Sequence, residues 1–69
     1  MTVNYNNLWK LLIDKGLKKY QLKDLAHLSS NTMAKLSQNK VVSMEVLLRI
    51  CSVLECDISD ICCFLKEGE

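Results

Sequence analysis

The eight residues Ser29-Ser30-Asn31-Thr32-Met33-Ala34-Lys35-Leu36 decide how this chain is read. Met33 and Leu36 are its large apolar positions, and their spacing marks a narrow inward stripe on a short helix expected from Ser30 to about Ser37. Ser29 stands where an N-cap belongs, its hydroxyl able to accept a backbone N–H from the first turn. Ser30, Asn31, Thr32 and Lys35 are all polar, and Ala34 is small. Two readings follow. The segment is either a capped, solvated helix start, or a helix slim enough to bring hydrogen-bonding groups close to another polar surface. Periodicity alone leaves both open.

Upstream, Leu22, Leu25 and Leu28 trace one stripe of a helix expected over Lys19 to Ala26, with Lys23 and Asp24 facing water and a break near His27. Before it, Leu8 with Leu12 and Trp9 with Ile13, spaced by four, predict a helix from Asn6 to Lys15. Gly16 follows as a residue that accepts positive φ, and Lys15 suits the helix C-terminus. Downstream, Gln38-Asn39-Lys40 reads as a turn. Ser43 then caps a helix reaching Leu54, with Leu47, Ile50, Cys51 and Leu54 on one face and Val46 and Val53 widening it. That breadth makes it the expected central helix. A fifth helix is expected over Ile58 to Leu65, carrying Ile58, Ile61 and Leu65.

The expectation is therefore all-α, five short helices in a single domain over residues 1–69. Proline is absent and glycine occurs only at positions 16 and 68, so helix breakers are nearly missing. The first residues carry neither a basic cluster nor an apolar run, so no signal peptide is expected. The greasy stretches fall far short of the roughly 20 residues a membrane span needs. A cytoplasmic protein is the expectation, with its four cysteines reduced.

Net charge is only +1, but it is unevenly spread. Before Met44, seven lysines face two aspartates, a net of +5; from Met44 onward, Arg49 and Lys66 face six carboxylates, a net of −4. Chance sorting is one explanation. The other is that one end approaches a phosphate backbone while the other stays clear of it.

A break between the second and third helices suggests a helix-turn-helix, two helices joined by a tight turn. Its second helix needs short polar side chains outward and only two or three apolar anchors inward, which Ser29 to Leu36 supplies. In that arrangement Asn31 can read adenine through its amide, and Ser30 and Thr32 can meet bases or phosphates. Thr32 also offers a methyl group to thymine, and Lys35 can reach guanine acceptors or a phosphate. Lys19, opening the second helix, is placed to touch backbone phosphate.

Gly16-Leu17, Leu22, Ser29 to Leu36, Asn39-Lys40, Ser43, Leu47, Ile50-Cys51, Leu54, Ile58 and Asp60-Ile61 together resemble the Cro/cI-type (Xre) helix-turn-helix family of bacterial and phage regulators. The resemblance runs from about Leu8 to Phe64. It is nearest to short stand-alone members ending in the pattern Ile-Cys-x-x-Leu-x-Cys-Asp-Ile-x-Asp-Ile. It implies a five-helix repressor-like fold in which the second and third helices read DNA. It also implies contacts from Lys19, Ser29, Ser30, Asn31, Thr32 and Lys35, with Asn39 and Lys40 near phosphate. Two positions depart from the pattern. The family favours glycine in the turn where this chain has His27, so strain or a shifted turn is expected. It favours Ser or Thr as N-cap of the second helix, where this chain has Lys18.

Cys51, Cys56, Cys62 and Cys63 invite a zinc reading, but adjacent Cys62 and Cys63 point to different helix faces and Cys51 lies on the core stripe. No metal and no cofactor are expected. For His27, the lone histidine, the expected role is that of a terminal histidine meeting helix carbonyls. With no phosphate loop and little chain to enclose a pocket, neither an enzyme nor a small-molecule ligand is expected. Trp9 is expected to pack in the core or at a subunit contact. Val46, Val53, Cys62, Phe64 and Leu65 exceed what one face per helix needs. They either cap the core from the tail or cover a second copy, and a homodimer on a two-fold double-stranded DNA site is the expectation. The competing functional expectation is an antitoxin-like or other protein-interaction module that keeps the fold without specific DNA reading.

Overall fold

The computed structural model describes residues 2–66. They run in the order strand β1 (Thr2–Asn4), helices α1 (Asn6–Asp14), α2 (Lys19–Leu25), α3 (Ser30–Ser37) and α4 (Met44–Leu54), a 3₁₀ turn (Ile58–Asp60) and strand β2 (Cys63–Leu65).

Local chemistry explains where each helix begins. Asn4 Oδ1 accepts the Asn6 N–H at 2.8 Å, turning the chain from β1 into α1. Ser29 Oγ accepts from Thr32 N–H at 3.1 Å, and Ser43 Oγ from Val46 N–H at 3.3 Å, so both serines cap as expected. Lys18 has no acceptor to offer the first turn of α2. The reciprocal bond compensates in part, since Gln21 Oε1 accepts the Lys18 N–H at 2.8 Å.

One device ends all four helices. After each, a residue turns left-handed and the next N–H bonds back across six residues, in the Schellman arrangement. These bonds are Leu17 N–H to Leu12 C=O (2.8 Å), Leu28 to Lys23 (2.9 Å), Lys40 to Lys35 (2.9 Å) and Cys56 to Cys51 (3.1 Å). The left-handed residues are Gly16 (φ 69°), His27 (φ 55°), Asn39 (φ 56°) and Glu55 (φ 53°). Only one is glycine. The turn before α3 is therefore not shifted by His27; the histidine adopts the glycine conformation itself.

The core is formed by Tyr5, Leu8, Leu12, Leu22, Ala26, Leu28, Leu36, Ile50, Leu54 and Ile61, all buried. Helix α4 lies against α2 and the 3₁₀ turn, and α1 also touches that turn. Burying each Leu or Ile side chain contributes roughly 1.5–3 kcal/mol. Truncating one to Ala would cost about 2–5 kcal/mol through the cavity left behind. Met33, Trp9, Val46, Leu47, Cys51 and Val53 pack partly buried around this centre. Two expected stripe positions do not: Ile13 is 76% and Leu25 54% exposed.

The expected fifth helix does not form, so the described chain has four α-helices. Asp57 Oδ1 accepts the Ile58 N–H at 2.7 Å and Asp60 Oδ2 accepts the Asp57 N–H at 3.1 Å, closing a single 3₁₀ turn. Ile61 then anchors in the core, and the chain extends to pair antiparallel with β1. The register is Thr2↔Leu65, Val3↔Phe64 and Asn4↔Cys63. An N-terminal strand with free N–H and C=O groups offered the tail a ladder that helical continuation would have left unpaired.

Candidate nucleic-acid interface

Helix α3 is anchored by buried Leu36 and half-buried Met33, which fixes what it turns outward. At about 100° per residue, the side opposite those anchors carries Asn31, Ala34, Lys35 and Gln38, all exposed. Ser30 lies at the edge facing α2 and is exposed, whereas Thr32 lies at the other edge and is half-buried. Thr32 is further engaged at home, since Ser29 Oγ donates to Thr32 Oγ1 at 3.0 Å while accepting the Thr32 N–H. Ser29 thus acts first as the cap that starts the helix.

Helix α2 runs beside this face, and a shallow groove between the two is lined by Lys19, Tyr20, Lys23, Met33, Ala34 and Ser37. Both lysines are held in place. Lys19, the first residue of α2, sits with its ammonium 4.3 Å from the centre of the Trp9 ring, a cation–π contact that ties α2 to α1. Lys23 is half-buried and donates from Nζ to Ser30 Oγ at 2.9 Å, joining α2 to the first residue of α3. Lys23 was expected only to face water. Its signal in the sequence was its spacing, one helical turn after Lys19 on the same face.

Asn39 and Lys40 stand apart, beyond the far end of α3. That helix spans about 12 Å, so these two residues and Ser30 mark opposite ends of it. One acceptor oxygen of each is committed to Tyr5: Asn39 Oδ1 accepts the Tyr5 N–H at 3.3 Å, and the Lys40 carbonyl accepts the Tyr5 hydroxyl at 2.8 Å. Tyr5 is a buried residue that sequence reasoning passed over, and it clasps the chain leaving α3 to the start of α1. Burial, chiefly, and the neighbouring Cys62 thiol push its phenol pKa up, so the hydroxyl keeps the proton it donates.

His27 does not meet helix carbonyls with its ring. Its own carbonyl accepts from Arg49 Nη1 at 3.4 Å, and Arg49 Nη2 pairs with Glu45 at 2.6 Å one turn earlier on α4. This joins the turn before α3 to the central helix. Cys51, Cys56 and Cys62 pack against the edge of the core, away from α3 in sequence. Desolvation, then the neighbouring Cys56, raises the Cys51 thiol to about 11. Among the described residues, no three of His, Cys, Asp and Glu are grouped to hold a metal ion. No helix among them is long and apolar enough to cross a membrane.

Two helices packed through a tight turn, the second short, capped and polar outward, make a helix-turn-helix. The chain belongs to the family of Cro/C1-type HTH DNA-binding domains, whose model matches residues 7–67. A solved structure, that of the transcriptional regulator VanUg (Form II), is 50% identical to it and superposes with a TM-score of 0.93, covering 96% of this chain and 88% of that one. No curated protein sequence matches.

Proposed function

We propose that this chain is a sequence-specific transcriptional regulator, acting as a repressor, that seats α3 in the major groove of double-stranded DNA. The observation that carries the reading is the outward face of α3, where Asn31 and Lys35, with Gln38 just past the helix end, stand exposed while the remaining positions are small or wholly or partly buried. Asn31 pairs with adenine, Lys35 with guanine or phosphate, and Ser30 and Thr32 work at the helix edges. Lys19 contacts phosphate from the start of α2, Ser29 positions the helix and adds its own backbone-side contact, and Asn39 and Lys40 approach phosphate at the far end. The family of the chain and the regulator it resembles support this assignment.

The chain acts as a homodimer, with half-sites about one helical turn apart. Support comes from a groove between the end of α2 and α4 whose apolar walls, Leu25, Leu48 and Val53, include side chains 54% and 64% exposed at Leu25 and Leu48. Glu45 and Arg49 in the same groove put both signs of charge there, so a second copy would not be repelled. Sedimentation at micromolar concentration, with and without DNA, reads the state directly; monomer alone in both would remove the dimer.

Selection of bound sequences from a random DNA pool, followed by anisotropy titrations at several salt concentrations, tests the main reading. Affinity should fall with salt at a log–log slope near −0.9 for each phosphate contacted. Asn31→Ala should weaken the selected site by roughly 1–3 kcal/mol and relax preference at one base pair. Absence of binding even at low salt would leave the chain as a protein-interaction module on the same fold.

A further inference from the structure

The bond between Lys23 and Ser30 has a direction that matters. An ammonium has three donors and no acceptor, whereas a hydroxyl has one donor and two acceptor lone pairs. At 2.9 Å, Lys23 must donate and Ser30 must accept. Among the described residues Ser30 Oγ has no other hydrogen-bond partner, so its proton is free to point away from α2. A positive charge on the oxygen side also strengthens the hydroxyl as a donor. Lys23 is half-buried and lines the groove between α2 and α3, beside the seam that its ammonium spans.

We propose that Lys23 is a specificity-determining residue: by occupying one of the two acceptor lone pairs of Ser30 with a charged donor, it biases that hydroxyl towards donating, which favours a base edge bearing an acceptor. Guanine N7 or O6, adenine N7 and thymine O4 satisfy such a donor, and the amino groups of cytosine and adenine do not. An unpinned serine accepts or donates as its surroundings ask; with an ammonium already on one lone pair, accepting a second donor is disfavoured by the like polarity of the two, and donating is favoured. Lys23 touches no base itself and acts through Ser30. The inference rests on the reading that α3 faces DNA.

The experiment uses the full chain and the site it enriches from a random pool. Wild type, Ser30→Ala, Lys23→Met, Lys23→Arg and the Ser30→Ala/Lys23→Met double variant are titrated against that site and its single-base-pair variants at one salt concentration. Thermal melts confirm that each is folded. Lys23→Gln, uncharged and too short to reach Ser30, repeats the test with a polar side chain should the methionine variant melt early. The expected result is that Ser30→Ala and Lys23→Met each lose about tenfold discrimination at the same base pair. The double variant loses no more than either, and Lys23→Arg, which keeps a charged donor, retains most of it. If Lys23→Met weakens every sequence by a common factor with discrimination intact, or acts at a different base pair from Ser30→Ala, the inference is overturned while the DNA-reading role of α3 stands. If the wild-type chain enriches no sequence, both fall.

Discussion

Glu55→Gly should make this protein more stable, although it removes a side chain from a folded surface. Glu55 ends α4 with φ 53° and ψ 51°, a left-handed conformation that crowds the Cβ of any L-residue. That crowding costs roughly 1–2 kcal/mol, and glycine is free of it. Glycine in turn gives back about 0.5–1 kcal/mol because its unfolded chain is more flexible. The net gain is about 0.5–1 kcal/mol, and removing a carboxylate from the negative end of a helix acts in the same direction. For a domain of this size it would raise Tm by roughly 3–6 °C. Gly16→Ala is the matched control. A Cβ added at Gly16 meets nothing within 4 Å, so the alanine variant would feel its φ of +69° and little else. It should lose about 1 kcal/mol or more. Both variants are read by urea and thermal unfolding followed by far-UV circular dichroism, with Trp9 fluorescence as a second probe. If Glu55→Gly melts at or below wild type while Gly16→Ala is neutral, the account of how these helices end is wrong.

Other substitutions probe single contacts. Ser29→Ala deletes the cap of α3 and should cost about 1 kcal/mol of stability, with DNA affinity falling for all sequences together; urea titration and anisotropy check the two halves. Tyr5→Phe keeps the buried ring but loses the bond to the Lys40 carbonyl, for about 1 kcal/mol in unfolding experiments and little change in Trp9 fluorescence. Lys19→Ala should weaken every DNA sequence about equally and reduce the salt slope by about one unit, which titrations at several ionic strengths would show. Alkaline pH should destabilise the fold. The Cys51 thiol is pushed up from its ordinary 9.0 to about 11 in the folded chain, so its contribution to stability is fully present below pH 9 and is lost as pH rises towards 11. Cys62 and Tyr5 are shifted in the same direction, and Cys51→Ala should flatten part of the decline in pH-dependent melts.

The helices were legible because their signals are local. Leu8 with Leu12, Met33 with Leu36, and Ile50 with Leu54 repeat at helical spacing within a few residues of each other, and Ser29 and Ser43 announce the starts of α3 and α4. The tail was not legible for the opposite reason. Ile58, Ile61 and Leu65 are spaced as in a helix, but the partner that extends Cys63 to Leu65 is β1, at the other end of the chain. Nothing near Leu65 in sequence reports it. Exposure of Ile13 and Leu25 failed on similar grounds: a spacing shows that residues share a face, not that a neighbour covers it. At the candidate interface, the polar face of α3 could be read from residue types. The Lys23–Ser30 bond could not, because it depends on how closely α2 crosses α3. Tyr5 was missed because a lone aromatic outside any stripe carries no periodic signal.

The pairing of Thr2 with Leu65 makes the described chain a nearly closed ring. Its closing contact joins residues almost the whole described length apart, whereas each helix is assembled from neighbours a few positions away. Loop-closure entropy must be met before such a distant contact is rewarded, so the helices should dock first and the two strands zip last. Weakening the strand pair should then quicken unfolding and leave the folding rate nearly untouched. The same adjacency makes the protein a natural subject for circular permutation: a short linker across the strand ends, with new ends opened near exposed Val41, would keep α2 and α3 uncut.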